Sequence, residues 1–361
     1  MTEKTSSGAE AFGSVHTGGY APLLRELGCT LLATTFQAGR LIFIRPQGAT
    51  LNTHFHALSR PMGLAADVER IFVGGQRGVY EFRNVPAVTR KLSPPDVHDA
   101  VYLLRNLHIT GHVDIHEMAF AGSECWYVNT LFSCLCTLDS EHSFVPRWRP
   151  PFISGYAPED RCHLNGLAMD GAQPKYLTAL GRANTAEGWR EKKRNGGVLI
   201  DYASGELVAH GLSMPHSPRL YRDRLWLLES GKGGLATVDP ASGKVETVIQ
   251  LPGFTRGLAF AGHIAFVGLS QLRASNPFTD IPLTDQNPER ASGIWAVDLD
   301  TGTTIAFLRF SANVEEIFAV AALAGPRSPH ILGEDDPLLD STWSIPDAAL
   351  ADVELKADGV R

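Results

Sequence analysis

The chain has 361 residues, of which 44% are apolar and 20% are charged, and its formal net charge is −7. The length exceeds one average domain, although large all-β folds reach it as a single unit. The negative charge argues against general binding to nucleic acids or anionic membranes. The sequence has neither the run of roughly 18 apolar residues that a spanning helix needs nor an apolar segment near its start. We therefore expect no membrane span and no cleaved signal.

The cysteines follow no regular spacing (Cys29, Cys125, Cys134, Cys136 and Cys162). They form neither a zinc knuckle nor a CxxC redox motif. An odd, irregular set favours reduced and buried thiols over disulfides, and reduced thiols are typical of the cytoplasm. The sequence therefore predicts a cytoplasmic protein.

Two features precede the first repeated motif. Residues 1–20 are rich in Gly, Ser and Thr, which predicts a flexible segment. Apolar runs then cover residues 31–35, 41–44 and 51–56, and short apolar runs separated by turns are typical of strands. We interpret these runs as three strands that lack a strand before them.

A six-residue motif, most often ending in Leu-Ala or a similar pair, occurs six times in the chain. Its copies begin at Arg60, Asp114, His163, Met214, Phe254 and Val314. A short turn and an apolar strand follow most copies, which is the order of the two inner strands of a propeller blade.

A second motif joins the two outer strands of a blade. Three segments, 201–205, 239–243 and 298–302, begin with Asp and end with Gly, between apolar runs. Asp at the entrance of a turn caps backbone amides and Gly accepts positive φ, so each segment predicts a hairpin. Three copies in one frame indicate repeated blades.

The first and the last part of the repeat are each an incomplete blade, and together they make a complete one. The copy at Val314 has no strands after it, and the strands in residues 31–56 have none before them. Joining them predicts an all-β, six-bladed propeller over residues 21–324, whose first blade is closed by the C-terminal innermost strand. Ring closure also removes exposed sheet edges. Residues 325–361 are predicted to be a separate tail.

The third residue of each motif copy predicts a polar ring around the axis, because one face of each innermost strand lines the central channel. These residues are Met62, His116, Asn165, His216, Arg256 and Glu316. Buried polar groups are costly unless they pair, coordinate an ion or bind a ligand. We therefore predict a functional pocket on the axis.

Ligand chemistry favours a divalent metal ion in this pocket, held by His116, His216, Glu316 and Asn165. Two imidazoles and a carboxylate suit Fe(II), Zn or Mn better than Ca, which prefers oxygen ligands. His163 has the same strand parity as Asn165 and is an alternative ligand; His163 and Glu316 are the predicted catalytic groups. The open alternatives are hydrogen-bonded structural histidines and a buried Arg256–Glu316 ion pair.

Two connections are long, residues 181–197 and 268–292, and long loops in compact folds are often binding loops. Trp189 fits equally well as a loop anchor. The predicted substrate-binding residues are Gln37, Asn165, Arg182, Asn184, Trp189, Arg190, Arg256 and Arg273.

Several phrases resemble a bacterial family of propeller proteins described as a domain of unknown function. They are the stretches 34–40, 163–170, 181–190, 211–218, 252–260 and 314–318. The chain is more distantly similar to gluconolactonase-like and strictosidine-synthase-like six-bladed propellers. That similarity implies Asn165 and Glu316 as axial metal ligands, whereas His116 and His216 depart from it.

These observations predict a metal-dependent enzyme that acts on a small polar or anionic metabolite, with Arg256 binding its carboxylate or phosphate. The reaction is hydrolase- or lactonase-like, or resembles that of non-haem iron oxygenases. The alternative is a non-catalytic propeller that binds a ligand or a protein. Neither reading involves nucleic acid or a membrane.

Overall fold

The computed structural model describes residues 12–95, 97–271, 280–286 and 290–350. Arg273, one of the predicted substrate-binding residues, lies outside these ranges. The N-terminal elements are β1 (Ser14–His16), α1 (Tyr20–Glu26), β2 (Cys29–Thr35), β3 (Arg40–Gln47) and β4 (Thr50–Ala57).

The middle of the chain consists of antiparallel strands in groups of four. The first two groups are β5 (Leu64–Ala66), β6 (Arg70–Gly74), β7 (Gly78–Asn84) and β8 (Ala100–Ile109), then β9 (Ile115–Ala121), β10 (Glu124–Asn129), β11 (Cys134–Thr137) and β12 (Val145–Trp148). The next two are β13 (Leu164–Asp170), β14 (Gln173–Ala179), β15 (Gly197–Asp201) and β16 (Leu207–Leu212), then β17 (Pro215–Tyr221), β18 (Arg224–Glu229), β19 (Gly234–Val238) and β20 (Val245–Gln250).

The last strands are β21 (Phe254–Ala261), β22 (Ile264–Ser270), β23 (Gly293–Asp298), β24 (Thr303–Phe310), β25 (Ala319–Ala324) and β26 (Pro329–Leu332). Helix α2 (Pro282–Gln286) lies between β22 and β23. Short 3-10 helices are Pro86–Lys91, Gly188–Lys192, Ser230–Lys232, Pro337–Ser341 and Asp347–Leu350. None of the helices in the described ranges is long and apolar enough to cross a bilayer.

These strands form six sheets arranged as a ring. Their innermost strands contact one another in the cyclic order β25, β5, β9, β13, β17, β21 and back to β25. The chain is therefore a six-bladed β-propeller, as the sequence predicts. We number the blades 1 to 6 from β2–β4 along the chain.

Blade 1 joins the two ends of the propeller. Strand β25 pairs with β2 in antiparallel register, from Cys29 opposite Ala324 to Thr34 opposite Ala319. The amide of Phe318 donates to the Thr34 carbonyl at 2.8 Å, which extends the pairing towards the channel. The predicted closure of the first blade by the C-terminal innermost strand is confirmed.

Both terminal segments add a fifth strand to a blade. Strand β1 pairs with the outer strand of blade 6, β24, and β26 pairs in parallel with the outer strand of blade 2, β8. Parts of residues 1–20 and 325–361 thus pack on the outside of the ring, while the predicted domain boundaries stay a prediction. All five cysteines are free and buried; the compartment stays a prediction.

The innermost strands of blades 3 to 6 each contain an irregularity at the predicted ring residue. The register shifts at Asn165 in β13, after His216 in β17, and across the residues that include His116 in β9 and Arg256 in β21. Such β-bulges bend a strand and re-aim its side chains. The apolar residues elsewhere on these strands pack between neighbouring blades. The bulges set the polar residues apart from this packing: His116, His216 and Arg256 in blades 3, 5 and 6, and Asn165 in blade 4.

The bulge glycine beside Arg256 gives a test of this backbone geometry. Gly257 has φ +78°, and a Cβ there would lie 2.7 Å from the Val320 amide nitrogen; Gly171 has φ +56° with open space around it. We expect Gly171→Ala to lower the free energy of unfolding by about 1–2 kcal/mol through backbone strain. Gly257→Ala should cost about 1–3 kcal/mol more, because β25 must also move. Urea denaturation of both variants measures this difference; equal losses would show that the contact with β25 is unimportant.

Candidate functional site

Side chains from blades 1, 3, 4, 5 and 6 meet where the innermost strands begin. We call His116, His163, His216, Arg256 and Glu316 the axial cluster. The rings of His116 and His163 are 4.7 Å apart, and Arg256 lies 3.5 Å from the Glu316 carboxylate. Burial is the main cause of the lowered pKa of His116, and electrostatic interaction with His163 and Arg256 contributes, in keeping with their places in one region.

Two histidines of the cluster are held in equivalent ways. Two residues before each, Asp114 and Met214 adopt the left-handed conformation, with φ of 52° and 48°. Their carbonyl oxygens lie 3.2 Å from Nδ1 of His116 and 3.0 Å from Nδ1 of His216. A hydroxyl at the end of the neighbouring strand, Thr130 at 2.8 Å and Ser230 at 2.9 Å respectively, contacts the same nitrogens.

These contacts determine which ring nitrogen carries the proton. A carbonyl oxygen only accepts hydrogen bonds, so Nδ1 of both His116 and His216 must donate. The Thr130 hydroxyl is consistent with this, because it donates to the Leu164 carbonyl at 2.6 Å and can therefore accept from His116. Nε2 of each imidazole is left as a lone-pair acceptor, and among the described residues it has no hydrogen-bond partner.

Both imidazoles are neutral at pH 7. Burial lowers the pKa of His116 well below its ordinary value, and the charges of His163 and Arg256 lower it further. Burial also lowers the pKa of His216, with Arg256 as the next cause. Desolvation disfavours the charged form of a buried imidazole, and a nearby cation acts in the same direction.

His163 has a different partner, the carboxylate of Asp160. Nδ1 of His163 lies 2.9 Å from Asp160, whose Oδ2 also accepts from Trp189 Nε1 at 3.0 Å. The His163 ring packs between Trp189, at 4.4 Å, and His116. A carboxylate that orients an imidazole through Nδ1 leaves Nε2 available for proton transfer, as in hydrolase triads.

Arg256 is a buried cation with incomplete compensation. Its guanidinium lies 3.4 Å from the centre of the Phe318 ring, and its side chain is 13% exposed. Burial lowers its pKa to about 10, against the opposing influence of Glu316. Its Nε is buried and finds no hydrogen-bond partner in the described part of the chain, and its contact with Glu316 is long at 3.5 Å.

The other two predicted ring residues, Asn165 and Met62, make structural contacts within the propeller. Asn165 donates from Nδ2 to the Pro215 carbonyl at 3.0 Å, and its Oδ1 accepts from Thr178 at 2.7 Å. It therefore joins blades 4 and 5. Met62 is buried in the apolar cluster that includes Phe318.

Some of the predicted loop residues contact the axial cluster and others do not. Trp189 is buried against His163, so it anchors its loop and contacts the cluster at once. Arg182 lies 6.0 Å from the Phe152 ring, and Asn184 accepts hydrogen bonds from Ser154 and Arg161. The structure does not bring these two to the axis.

Two further predicted loop residues have partners within the chain. Arg190 stacks on Trp189 and pairs with Glu187 at 2.9 Å. Gln37 accepts from the Glu315 amide at 3.1 Å, one residue before Glu316.

Sequence reasoning did not identify Phe318, Asp160, Thr130 or Ser230 as site residues. Phe318 had a signal, because it is the only aromatic residue at the fifth position of the six motif copies. Asp160 precedes His163 by three residues in an irregular segment, and no pattern marks it. Glu117, beside His116, forms a bidentate ion pair with Arg219 of blade 5 at 2.9 and 3.2 Å.

The predicted metal ligands differ in whether they have a donor atom free to bind an ion. His116 and His216 offer two free nitrogens, but Glu316 is paired with Arg256 and Asn165 joins two blades. Among the described residues, no group of three His, Cys, Asp or Glu side chains is arranged to hold a metal ion. Of the four predicted metal ligands, His116 and His216 thus have a free nitrogen in the axial cluster, and the metal ion stays a prediction.

The lowered imidazole pKa values predict how stability depends on pH. Below pH 6.5 the unfolded chain binds protons at His116 and His216 that the native chain does not, so acidification destabilises the fold. We expect His116→Gln and His216→Gln each to reduce the loss of unfolding free energy between pH 6 and 5 by about 1 kcal/mol. Urea denaturation measures this. At pH 8 to 9 these histidines are neutral in both the native and the unfolded state, so the unfolding free energies of the variants and the wild type should change with pH in the same way. If the variants lose as much unfolding free energy as the wild type between pH 6 and 5, the imidazoles are not neutral in the native state.

A comparison with one solved structure agrees with the propeller fold. A chain from the crystal structure of a nidogen/laminin complex is similar at 10% identity and a TM-score of 0.54, covering 82% of this chain and 99% of that one. TolB from Acinetobacter baumannii matches at 11% identity and a TM-score of 0.45, covering 83% of this chain and 66% of TolB. No curated protein matches.

These matches do not confirm the more distant similarity to gluconolactonase-like propellers. A family model matches residues 19–332, which is most of the chain, and agrees with the resemblance found in the sequence. The chain belongs to the family described as domain of unknown function DUF4915.

Proposed function

We propose that the axial cluster binds a small organic anion through Arg256. The observation that carries this proposal is the largely buried guanidinium, which within the described ranges has an unpaired Nε and a single, long contact to a carboxylate. Removing a charge from water costs several kcal/mol or more, unless close partners compensate for it. A carboxylate or phosphate on the ligand would supply the missing partner, in the geometry that guanidinium groups favour.

The two neutral imidazoles limit the class of anion that fits the site. Their free Nε2 atoms accept hydrogen bonds, so they would repel a bare anion but accept from a hydroxyl. His116 lies three blades from Arg256 around the ring, and both contact the Phe318 ring. A ligand that carries an acid group at one end and hydroxyls along its chain complements this arrangement.

Catalysis at the cluster is the more specific form of this proposal. His163 is the best general base, because Asp160 holds its Nδ1 and the ring sits against His116. Glu316, with 26% of its side chain exposed, is the second group able to exchange a proton there. Both would act on a ligand whose acid group Arg256 holds.

A matched pair of acids tests the anion site. Glycerate and propionate have the same carbon chain, but only glycerate has hydroxyls. By titration calorimetry at pH 7 we expect glycerate to bind more tightly than propionate. Arg256→Gln should weaken glycerate binding by about 10- to 100-fold, the range for a lost charge-assisted hydrogen bond. Glu316→Gln should tighten it, because a competing carboxylate is removed.

Thermal unfolding of both variants controls for folding. Equal glycerate affinity of the wild type and Arg256→Gln, or weaker binding to Glu316→Gln, would refute the proposal.

A divalent metal ion is the second candidate for this cluster. The observation in its favour is the equivalent clamp on His116 and His216, since metal-binding histidines commonly donate their other nitrogen to a carbonyl or similar group. Fe(II), Zn and Mn all accept imidazole nitrogen. A third ligand would have to come from Glu316, whose carboxylate also lies 3.5 Å from Arg256.

The metal proposal predicts that Arg256→Gln and Glu316→Gln change ligand affinity in the opposite directions to those expected for an anion. If Glu316 is a ligand, Glu316→Gln should weaken Zn²⁺ binding and Arg256→Gln should strengthen it, because the carboxylate is freed. His116→Ala and His216→Ala should each abolish binding. Metal analysis of purified protein and Zn²⁺ titration measure this; less than about half an equivalent of metal, unaffected by the histidine variants, would exclude the metal site.

A further inference from the structure

A second polar site lies outside the channel, between blades 1 and 2. A cavity of about 700 Å³ is bounded by β4 on one side, by β7 and β8 on the other, and by residues 330–337 of the C-terminal segment. None of its lining residues belongs to the axial cluster. The C-terminal segment acts as its third wall, and β26 holds that segment against blade 2.

Three imidazoles line this cavity without hydrogen bonds in the described part of the chain: those of His54, His56 and His330. Nδ1 of His330 is buried and has no hydrogen-bond partner among the described residues, whereas the three rings as a whole are half-buried. Ring contacts hold them instead, His54 against His330 at 5.0 Å and His56 edge-on to Phe82 at 5.8 Å. Buried polar atoms of native proteins are nearly always paired, so the unpaired nitrogen of His330, beside two further imidazoles on one cavity, points to a ligand.

These imidazoles are neutral and therefore act as hydrogen-bond acceptors as well as donors. Burial lowers the pKa of His54 and of His330 to about 4, and lowers that of His56 from its ordinary value. Arg45 contributes to the shifts of His54 and His330. Its guanidinium donates to Asn52 and to the Pro329 carbonyl, so it is occupied behind the cavity wall.

The wall formed by the C-terminal segment is acidic. Glu334, Asp335 and Asp336 line the cavity, and Glu334 and Asp335 have neither an ion pair nor a hydrogen bond among the described residues. The wall also lies close to the rings, because a Cβ at Gly333 would stand 2.8 Å from Cε1 of His56. Tyr80 and Phe82 add aromatic faces on the opposite side.

We propose that this cavity binds an organic cation, a guanidinium or primary ammonium group on a short carbon chain. The carboxylates and imidazole lone pairs accept the several hydrogens of such a group, and the aromatic side chains attract its charge. The described residues offer no three-ligand arrangement for a metal ion, so an inorganic cation complements the cavity less well. The net charge of −7 favours cation approach.

Two probe compounds of nearly equal size show whether the cavity recognises the charge of a ligand or only its shape. n-Butylguanidinium and n-butylurea have nearly the same size, but only the first is charged; titration calorimetry at pH 7 should detect binding of the first alone. Glu334→Gln/Asp335→Asn should weaken binding about tenfold or more, which corresponds to one lost charge-assisted contact. His56→Phe keeps an aromatic ring without its nitrogens and should weaken binding several-fold.

A second cavity of about 710 Å³, between blades 2 and 3, provides the matched control. It is lined by Glu124 and Glu141. Glu124→Gln/Glu141→Gln changes the net charge equally and should leave binding unchanged. Equal binding of n-butylurea, an equal loss in the control variant, or Zn²⁺ competing for the same site would overturn the proposal.

Discussion

The pairing of β25 with β2 is the constraint on which the axial cluster depends. It carries Phe318 and Glu316 from the C-terminal end of the propeller to a position between blade 6 and blade 2. Phe318 then supplies the surface against which both Arg256 and His116 pack. Without this closure the cation of blade 6 would lack both its aromatic support and its contact with the Glu316 carboxylate, and the ring would expose two sheet edges.

A bulge at the same place in four blades explains why a polar group can occupy each position. A regular innermost strand would alternate strictly between the channel and the neighbouring sheet. The extra residue relaxes this alternation, and the left-handed residues Asp114 and Met214 turn their carbonyls back onto the imidazoles. Backbone geometry thus selects the tautomer, and burial keeps the rings neutral.

The fold could be read from the sequence because its signals are local and repeated. Each hairpin and each innermost strand has its own residues, and the unmatched strands at the two ends require closure. The convergence of the ring residues follows from that register. The partners within the cluster could not be read, since Asp160 lies in an irregular segment and the Arg256–Glu316 contact depends on side-chain directions. Nor does any sequence pattern indicate that Asn165 joins blades 4 and 5.

Arg256 and Glu316 distinguish the two ligands proposed for the axial cluster. Their contact is long at 3.5 Å, so the cation has no close carboxylate among the described residues, and an incoming acid group would supply one. A metal ion bound to Glu316 would instead add positive charge beside the guanidinium and compete with it for the same carboxylate, which reduces the compensation of a largely buried cation. The proposed acid would therefore satisfy Arg256 and the proposed metal would satisfy Glu316, while the neutral imidazoles offer the same two lone pairs in either case.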